Sequence, residues 1–128
     1  MQEMSTAVQY NLPIKIFILN NQYMGMVRQW QELLHEKNYS ESYTAALPNF
    51  VKLAEAYGCV GIQAKKPDEL DQKINEMINI NKPVIFDCLV DPMENCFPMI
   101  PSGKPHNQML LGPEDEKEEV SDEGKTLV

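Results

Sequence analysis

Ile14-Lys15-Ile16-Phe17-Ile18-Leu19-Asn20-Asn21 is the stretch on which the fold turns. Five of its first six residues are apolar and three are isoleucine, a run too short for a helix and well matched to a strand. Near-continuous apolar character, without alternation, predicts a strand buried on both faces, as in a parallel sheet flanked by helices. The asparagine pair then ends it.

Downstream, Met26, Trp30, Leu33 and Leu34 share one helical face while Arg28, Gln31, Glu32 and Glu36 lie mostly elsewhere, which predicts an amphipathic helix. A polar crossing from Lys37 to Thr44 leads to a further helix, with Phe50, Leu53, Ala54 and Tyr57 on one face, Pro48 suited to its first turn and Gly58 to its C-cap. Val60, Ile62 and Ala64 alternate as a short strand. Pro67, Asp68 and Glu69 then start a helix with negative charge at its positive end, and Leu70, Ile74, Met77 and Ile78 form its apolar face. Pro83 introduces a last strand, Val84 to Val90, interrupted only by Asp87. Upstream of the deciding stretch, Met4, Ala7 and Val8 have helical spacing with no N-cap before them, so the chain reads as truncated inside a helix. Helices that separate apolar strands imply parallel connections, so the fold class is α/β, a parallel sheet flanked by helices on both faces.

Ligands of such sheets sit at the carboxyl ends of strands. The first strand's carboxyl end is Asn20-Asn21-Gln22-Tyr23-Met24-Gly25-Met26. Paired amides there offer neutral oxygen donors suited to a magnesium ion already bound to phosphate. Asparagine also tolerates turn geometry and bonds its own main chain, and on those grounds alone an ordinary turn accounts for the pair. Gly25 fits either a close approach to a ligand or a positive φ. Met26 and Trp30, one helical turn apart, are core residues on periodicity alone, although the polar neighbours of Trp30 favour partial exposure at a pocket or interface.

Composition narrows the classes. With 128 residues and 43% hydrophobic content, one globular unit is the default. A formal charge of −8 argues against nucleic acid and anionic membrane surfaces as partners. No apolar run approaches the ~20 residues of a membrane-spanning helix, and the first residues lack the regions of a signal peptide, so a cytoplasmic location is expected. Seven acids against two lysines from Pro113 to Val128 predict a solvated, disordered tail. Three cysteines without paired spacing suggest neither a disulfide framework nor a zinc site, and Cys59 and Cys88 read as small hydrophobes in apolar runs. His35 and His106 lack partners at a catalytic spacing. Glu55 is expected on a solvated helix face, and Asp87 in a strand hydrogen bond.

The string Ile18-Leu19-Asn20-Asn21-Gln22-Tyr23-Met24-Gly25-Met26-Val27-Arg28-Gln29-Trp30-Gln31 resembles the second half of the thiamine-diphosphate motif of acetohydroxyacid (acetolactate) synthase large subunits. The likeness continues from Pro48 to Gly58, returns at Pro98-Met99-Ile100-Pro101-Ser102-Gly103, and covers the chain from Gln2 to Gly103. After Gly103 it departs from the family's pattern, and the acidic tail has no counterpart. The resemblance implies an incomplete thiamine-diphosphate-binding domain over residues 1–112, lacking the upstream Gly-Asp-Gly element that supplies a magnesium ligand. It implies that Asn21 ligates Mg2+ through its side chain and Tyr23 through its carbonyl, and that Met24, Gly25, Met26 and Val27 lie against the cofactor. Met26, Trp30, Ser102 and Gly103 would line the substrate channel.

The activity implied is condensation of two 2-oxo acids, pyruvate with pyruvate or 2-oxobutyrate, with loss of carbon dioxide, in branched-chain amino acid biosynthesis. The cofactor carries most of that chemistry. No catalytic residue is expected within this chain, because the family's activating Glu comes from the N-terminal domain of another subunit. FAD, in the full-length enzyme, would be bound mainly outside it. Implied partners are the missing N-terminal and middle domains, a second copy in a homodimer or homotetramer, and a regulatory small subunit. The isolated fragment is expected to be inactive. Two alternatives stand beside this reading. One is a related pyruvate oxidase, glyoxylate carboligase or 2-oxo acid decarboxylase, against which the run from Gly25 to Trp30 speaks. The other is a non-catalytic α/β association module.

Overall fold

The computed structural model describes residues 2–113. In chain order its elements are α1 (Gln2–Gln9), β1 (Lys15–Asn20), α2 (Gly25–Leu34), α3 (Phe50–Tyr57), β2 (Val60–Ala64), a 3-10 turn (Pro67–Glu69), α4 (Leu70–Asn79) and β3 (Val84–Leu89). They fall into two compact units, one drawn from Met1–Gln22 and Ala45–Pro92, the other from Tyr23–Thr44 and Met93–Val128. The acidic tail expected over 113–128 lies, from residue 114 onward, outside the described residues.

The first unit is a three-stranded parallel sheet in the order β1-β3-β2. β3 is central, and its side chains alternate between two apolar layers. Val84, Phe86 and Cys88 pack with Ile62, Ala64 and Met77 on the α4 side, and Ile85 packs with Met4, Ala54 and Cys59 on the side of α1 and α3. Helices thus cover both faces, as the pattern of the sequence predicted. Cys59 and Cys88 are buried as small hydrophobes, and burial pushes both thiols up, with Asp87 adding to the effect at Cys88.

The deciding stretch does form a strand, but burial on both faces belongs to β3 and not to β1. β1 lies at the edge of the sheet, where Ile16 and Ile18 pack into the α1–α3 layer while Phe17 and Leu19 on the opposite face are 38% and 69% exposed. The apolar cluster closed by α4 draws its strand residues from β2 and β3. Phe17 keeps one partner there, stacking on Phe86 with ring centroids 4.6 Å apart. Ile78, expected on the buried face of α4, is 61% exposed because Leu70, Ile74 and Met77 already fill the contact with the sheet.

Local signals fixed the helix ends. Asn49 caps α3 by accepting from the Lys52 backbone N–H at 2.9 Å, so Pro48 precedes the helix instead of opening it. Gly58 closes α3 at φ 80°, a conformation that its lack of a Cβ makes accessible. Gly61 has a different reason: a Cβ there would stand 2.8 Å from the Val51 Cα and carbonyl oxygen, so α3 can approach β2 this closely only over glycine. Among the described residues no helix is long and apolar enough to cross a membrane.

The 3-10 turn ahead of α4 is tied by Glu69. One carboxylate oxygen accepts from the backbone N–H groups of Lys65 and Lys66 and the other from Lys73 Nζ at 2.8 Å. The Lys73 bond and then the Lys65 N–H hold the Glu69 pKa down from 4.5 to about 2. A carboxylate whose folded pKa is depressed contributes stability above its unfolded value, and that contribution is lost as pH falls through the folded one. The stability difference between the native chain and Glu69→Gln should therefore be full at neutral pH and vanish as pH falls from 4.5 to about 2, as read by urea unfolding across that range.

Candidate functional site

In the first unit, the two asparagines at the carboxyl end of β1 differ in burial. Asn20 is 8% exposed and committed to the protein. Its Nδ2 donates to Asp87 Oδ1 at 2.9 Å, its Oδ1 accepts from the Gln22 N–H at 3.1 Å, and its carbonyl accepts from the Val90 N–H at 3.1 Å. Asp87 also accepts from Gln63 Nε2 at 2.7 Å, so three polar side chains, one from each strand, meet on the α1–α3 side of the sheet. Asp87 is 3% exposed, and its expected strand hydrogen bond is in fact two. Asn21, beyond the strand, is partly exposed. Gln22 turns the chain at φ 61°, a left-handed conformation that costs a residue with a side chain about 1 kcal/mol.

The donor chemistry of this turn suits a hard cation that brings its own oxygen ligands. Among the described residues no group of three or more His, Cys, Asp or Glu side chains stands together to hold an ion. An ion here would rest on amide and carbonyl oxygens and on the oxygens of a bound phosphate, an arrangement magnesium accepts. The residues present fit that role as part of a coordination sphere.

In the second unit, the expected apolar face of α2 holds at its C-terminal end, where Leu34 is 7% exposed, and fails in its first turns. Periodicity placed Met26 in the core, yet Met24, Met26 and Val27 are 59%, 53% and 47% exposed, while Arg28 and Gln29 are fully buried. The reason is what α2 packs against. Arg28 donates to the Glu94 carbonyl at 2.8 Å and to Asn95 Oδ1, and pairs with Glu32 one turn on. Gln29 donates to the Cys96 carbonyl at 3.0 Å and to Met99 Sδ, and accepts from the Cys96 N–H at 2.7 Å. The inner face of α2 thus serves an irregular backbone whose polar groups have no sheet ladder to join. Arg28 Nε and the Ser42 hydroxyl, both buried, have no hydrogen-bond partner among the described residues.

Trp30 is partly buried, one helical turn beyond Met26 on the same face of α2. Gly25 opens α2 in helical conformation, so of its two readings the positive φ is excluded; that conformation falls on Gln22. Tyr23 is partly exposed, and its ring lies 5.1 Å from that of Tyr43 across an isolated antiparallel bridge. Ser102 and Gly103 lie in a turn closed by the Lys104 N–H on the Pro101 carbonyl at 3.1 Å, with Gly103 at φ 78°. Sequence reasoning did not assign a task to Arg28, Gln29 or Gln63. Only Asp87, a lone acid in an apolar strand, carried a signal.

A family model described as "thiamine pyrophosphate enzyme, C-terminal TPP binding domain" matches residues 1–88. The chain belongs to this family. It is 46% identical over 117 residues to an acetolactate synthase large subunit of Haemophilus influenzae, covering 91% of this chain and 20% of that protein. It is likewise 46% identical over 113 residues to the large subunit of acetolactate synthase isozyme 3 of Escherichia coli, covering 86% of this chain and 20% of the relative. The chain thus spans about one fifth of the length of the curated relatives it matches. A solved thiamine diphosphate-dependent 4-hydroxybenzoylformate decarboxylase of Rhodococcus jostii RHA1 shares the fold, with a TM-score of 0.60 and 24% identity over 69% of this chain and 16% of that one.

The bonds of Gln29 give the second unit a specific test. Gln29→Leu keeps the volume and removes all three side-chain hydrogen bonds, so it should destabilise that unit by about 1–3 kcal/mol. Hydrogen exchange at the Cys96 amide should rise by roughly tenfold or more while amides of α1 keep their protection.

Proposed function

We propose that this chain is the C-terminal cofactor-binding portion of an acetolactate synthase-type carboligase that condenses two 2-oxo acids with loss of carbon dioxide. The observation that carries the reading is the turn at the carboxyl end of β1, where Asp87, Gln22 and Val90 hold Asn20 in place and Asn21 follows directly at the strand's carboxyl end, the place at which ligands of parallel α/β sheets sit. Sequence identity of 46% to acetolactate synthase large subunits supports the choice of reaction. The exposed apolar face of Phe17 and Leu19 supports a sheet that belongs to a larger assembly.

In this reading residues 1–112 are part of the domain that holds thiamine diphosphate and Mg2+. Asn21 supplies a side-chain oxygen to the metal, and Tyr23 its backbone carbonyl. Thiamine diphosphate, when bound, supplies the carbon centre that takes up one 2-oxo acid, releases carbon dioxide and passes the remainder to the second. Met24, Gly25, Met26 and Val27 exclude water from that reaction with an apolar wall. Trp30 bounds the acceptor's channel, to which Ser102 and Gly103 contribute. The pyruvate and 2-oxobutyrate substrates, the place in branched-chain amino acid synthesis, FAD and a regulatory subunit belong to the whole enzyme.

Two measurements test the proposal. Calorimetric titration of the isolated chain with thiamine diphosphate and Mg2+ should show no micromolar binding, because the chain holds only part of the site; tight binding would count against it. In the full-length enzyme, Trp30→Leu should shift the ratio of products formed from competing pyruvate and 2-oxobutyrate, with a stability loss of about 1–2 kcal/mol for a partly buried side chain. An unchanged ratio would remove Trp30 from the channel.

A further inference from the structure

Asp87 is the buried acid that neither the apolar layers nor the proposed ligand contacts use. It stands in the central strand at 3% exposure, with Oδ1 accepting from Asn20 and Oδ2 from Gln63. A carboxylate only accepts, so it dictates which way round the Asn20 amide stands. With Nδ2 held toward Asp87, Asn20 Oδ1 is turned to the Gln22 N–H, 3.1 Å away. Turned over, the amide would set oxygen against carboxylate and NH2 against the Gln22 N–H. The chain of contacts therefore runs from the centre of the sheet to the residue that carries the strained φ of 61°.

We propose that Asp87 is a positioning residue for the cation-binding turn, acting through Asn20 to fix the backbone at Gln22 and thereby the place from which Asn21 offers its oxygen. The inference rests on the reading of Asn21 as a magnesium ligand. Magnesium demands near-ideal octahedral geometry, so a turn that drifts loses affinity even when the ligand itself is intact. Residues that orient ligands in this way typically alter metal affinity by roughly 10–100-fold when removed. Gln63 is the third member, occupying the second carboxylate oxygen and leaving Oδ1 to Asn20.

The test compares Asp87→Val, Asp87→Asn and Asn20→Ala in the full-length enzyme, titrating Mg2+ at saturating thiamine diphosphate. Asp87→Val is β-branched and of similar size, so it suits the strand while removing both acceptors. It should raise the half-saturating Mg2+ concentration by ~10-fold or more. The kcat at saturating metal should stay within about twofold. Asp87→Asn keeps an acceptor for Asn20, while the partly exposed Gln63 amide can turn to meet the new donor, and should recover most of the loss. Without metal, hydrogen exchange at the Gln22 amide should rise in Asp87→Val and Asn20→Ala and stay unchanged at Phe86. If Asp87→Val does not fold, Asn20→Ala carries the same expected shift. Unchanged half-saturation in the folded variants, or equal shifts for Asp87→Val and Asp87→Asn, would overturn the positioning role. A wild-type enzyme that needs no divalent cation would instead overturn the underlying reading, and that result is visible before any variant is made.

Discussion

A carboxylate buried in the middle of the central strand is the constraint around which the first unit is arranged. Placing Asp87 at 3% exposure among isoleucine, phenylalanine and cysteine is tolerable only if both oxygens are met, and Asn20 and Gln63 meet them from the two flanking strands. The parallel register sets this up. Asp87 lies opposite Gln63 on β2 and opposite Ile18 on β1, two residues before Asn20 on the same face. A slip of one residue in either strand would turn a partner to the other face and leave the acid unmet. The polar trio therefore specifies strand register as well as the turn beyond β1.

The two units solve the burial of polar side chains differently. In the first, side chains satisfy one another across a regular sheet. In the second, the buried side chains of Arg28 and Gln29 satisfy main-chain groups of Glu94 and Cys96. Among the described residues the second solution is less complete, since Arg28 Nε and the Ser42 hydroxyl find no partner there. Each such group costs on the order of 1–3 kcal/mol relative to a satisfied one, so the second unit gains less from its polar interior.

Much of the fold was legible in the sequence because it rests on local signals. Gly58 and the Pro67-Asp68-Glu69 run mark helix boundaries, and the three apolar strands stand out by run length and spacing. Which strand lies at the centre was not legible. β1 and β3 are almost equally apolar, and only pairing decides that β3 has neighbours on both sides. In the site, the asparagine pair stood out by type and place, but the hold on Asn20 comes from Asp87, far along the chain and invisible to any local pattern. The readings of Met26 and Arg28 failed for a related reason. Periodicity assumes that a helix packs its apolar stripe against an apolar surface along its whole length, and α2 does so at Leu34 but not at Met26.

The polar burial in the first turns of α2 is a consistent arrangement once its surroundings are counted. An irregular segment such as Glu94–Cys96 has main-chain groups that no strand partner can take, and burying it requires side-chain donors and acceptors from whatever covers it. A helix that presents a guanidinium and an amide inward supplies them. The same rotation that points Arg28 and Gln29 inward turns Met26 and Val27 outward, since residues two apart on a helix stand on different sides. An exposed apolar ridge is ordinarily unfavourable, and in the proposed reading it is the wall against the cofactor. The polar interior and the apolar exterior of α2 are thus one structural decision, and the bonds to Glu94 and Cys96 make it affordable in free energy.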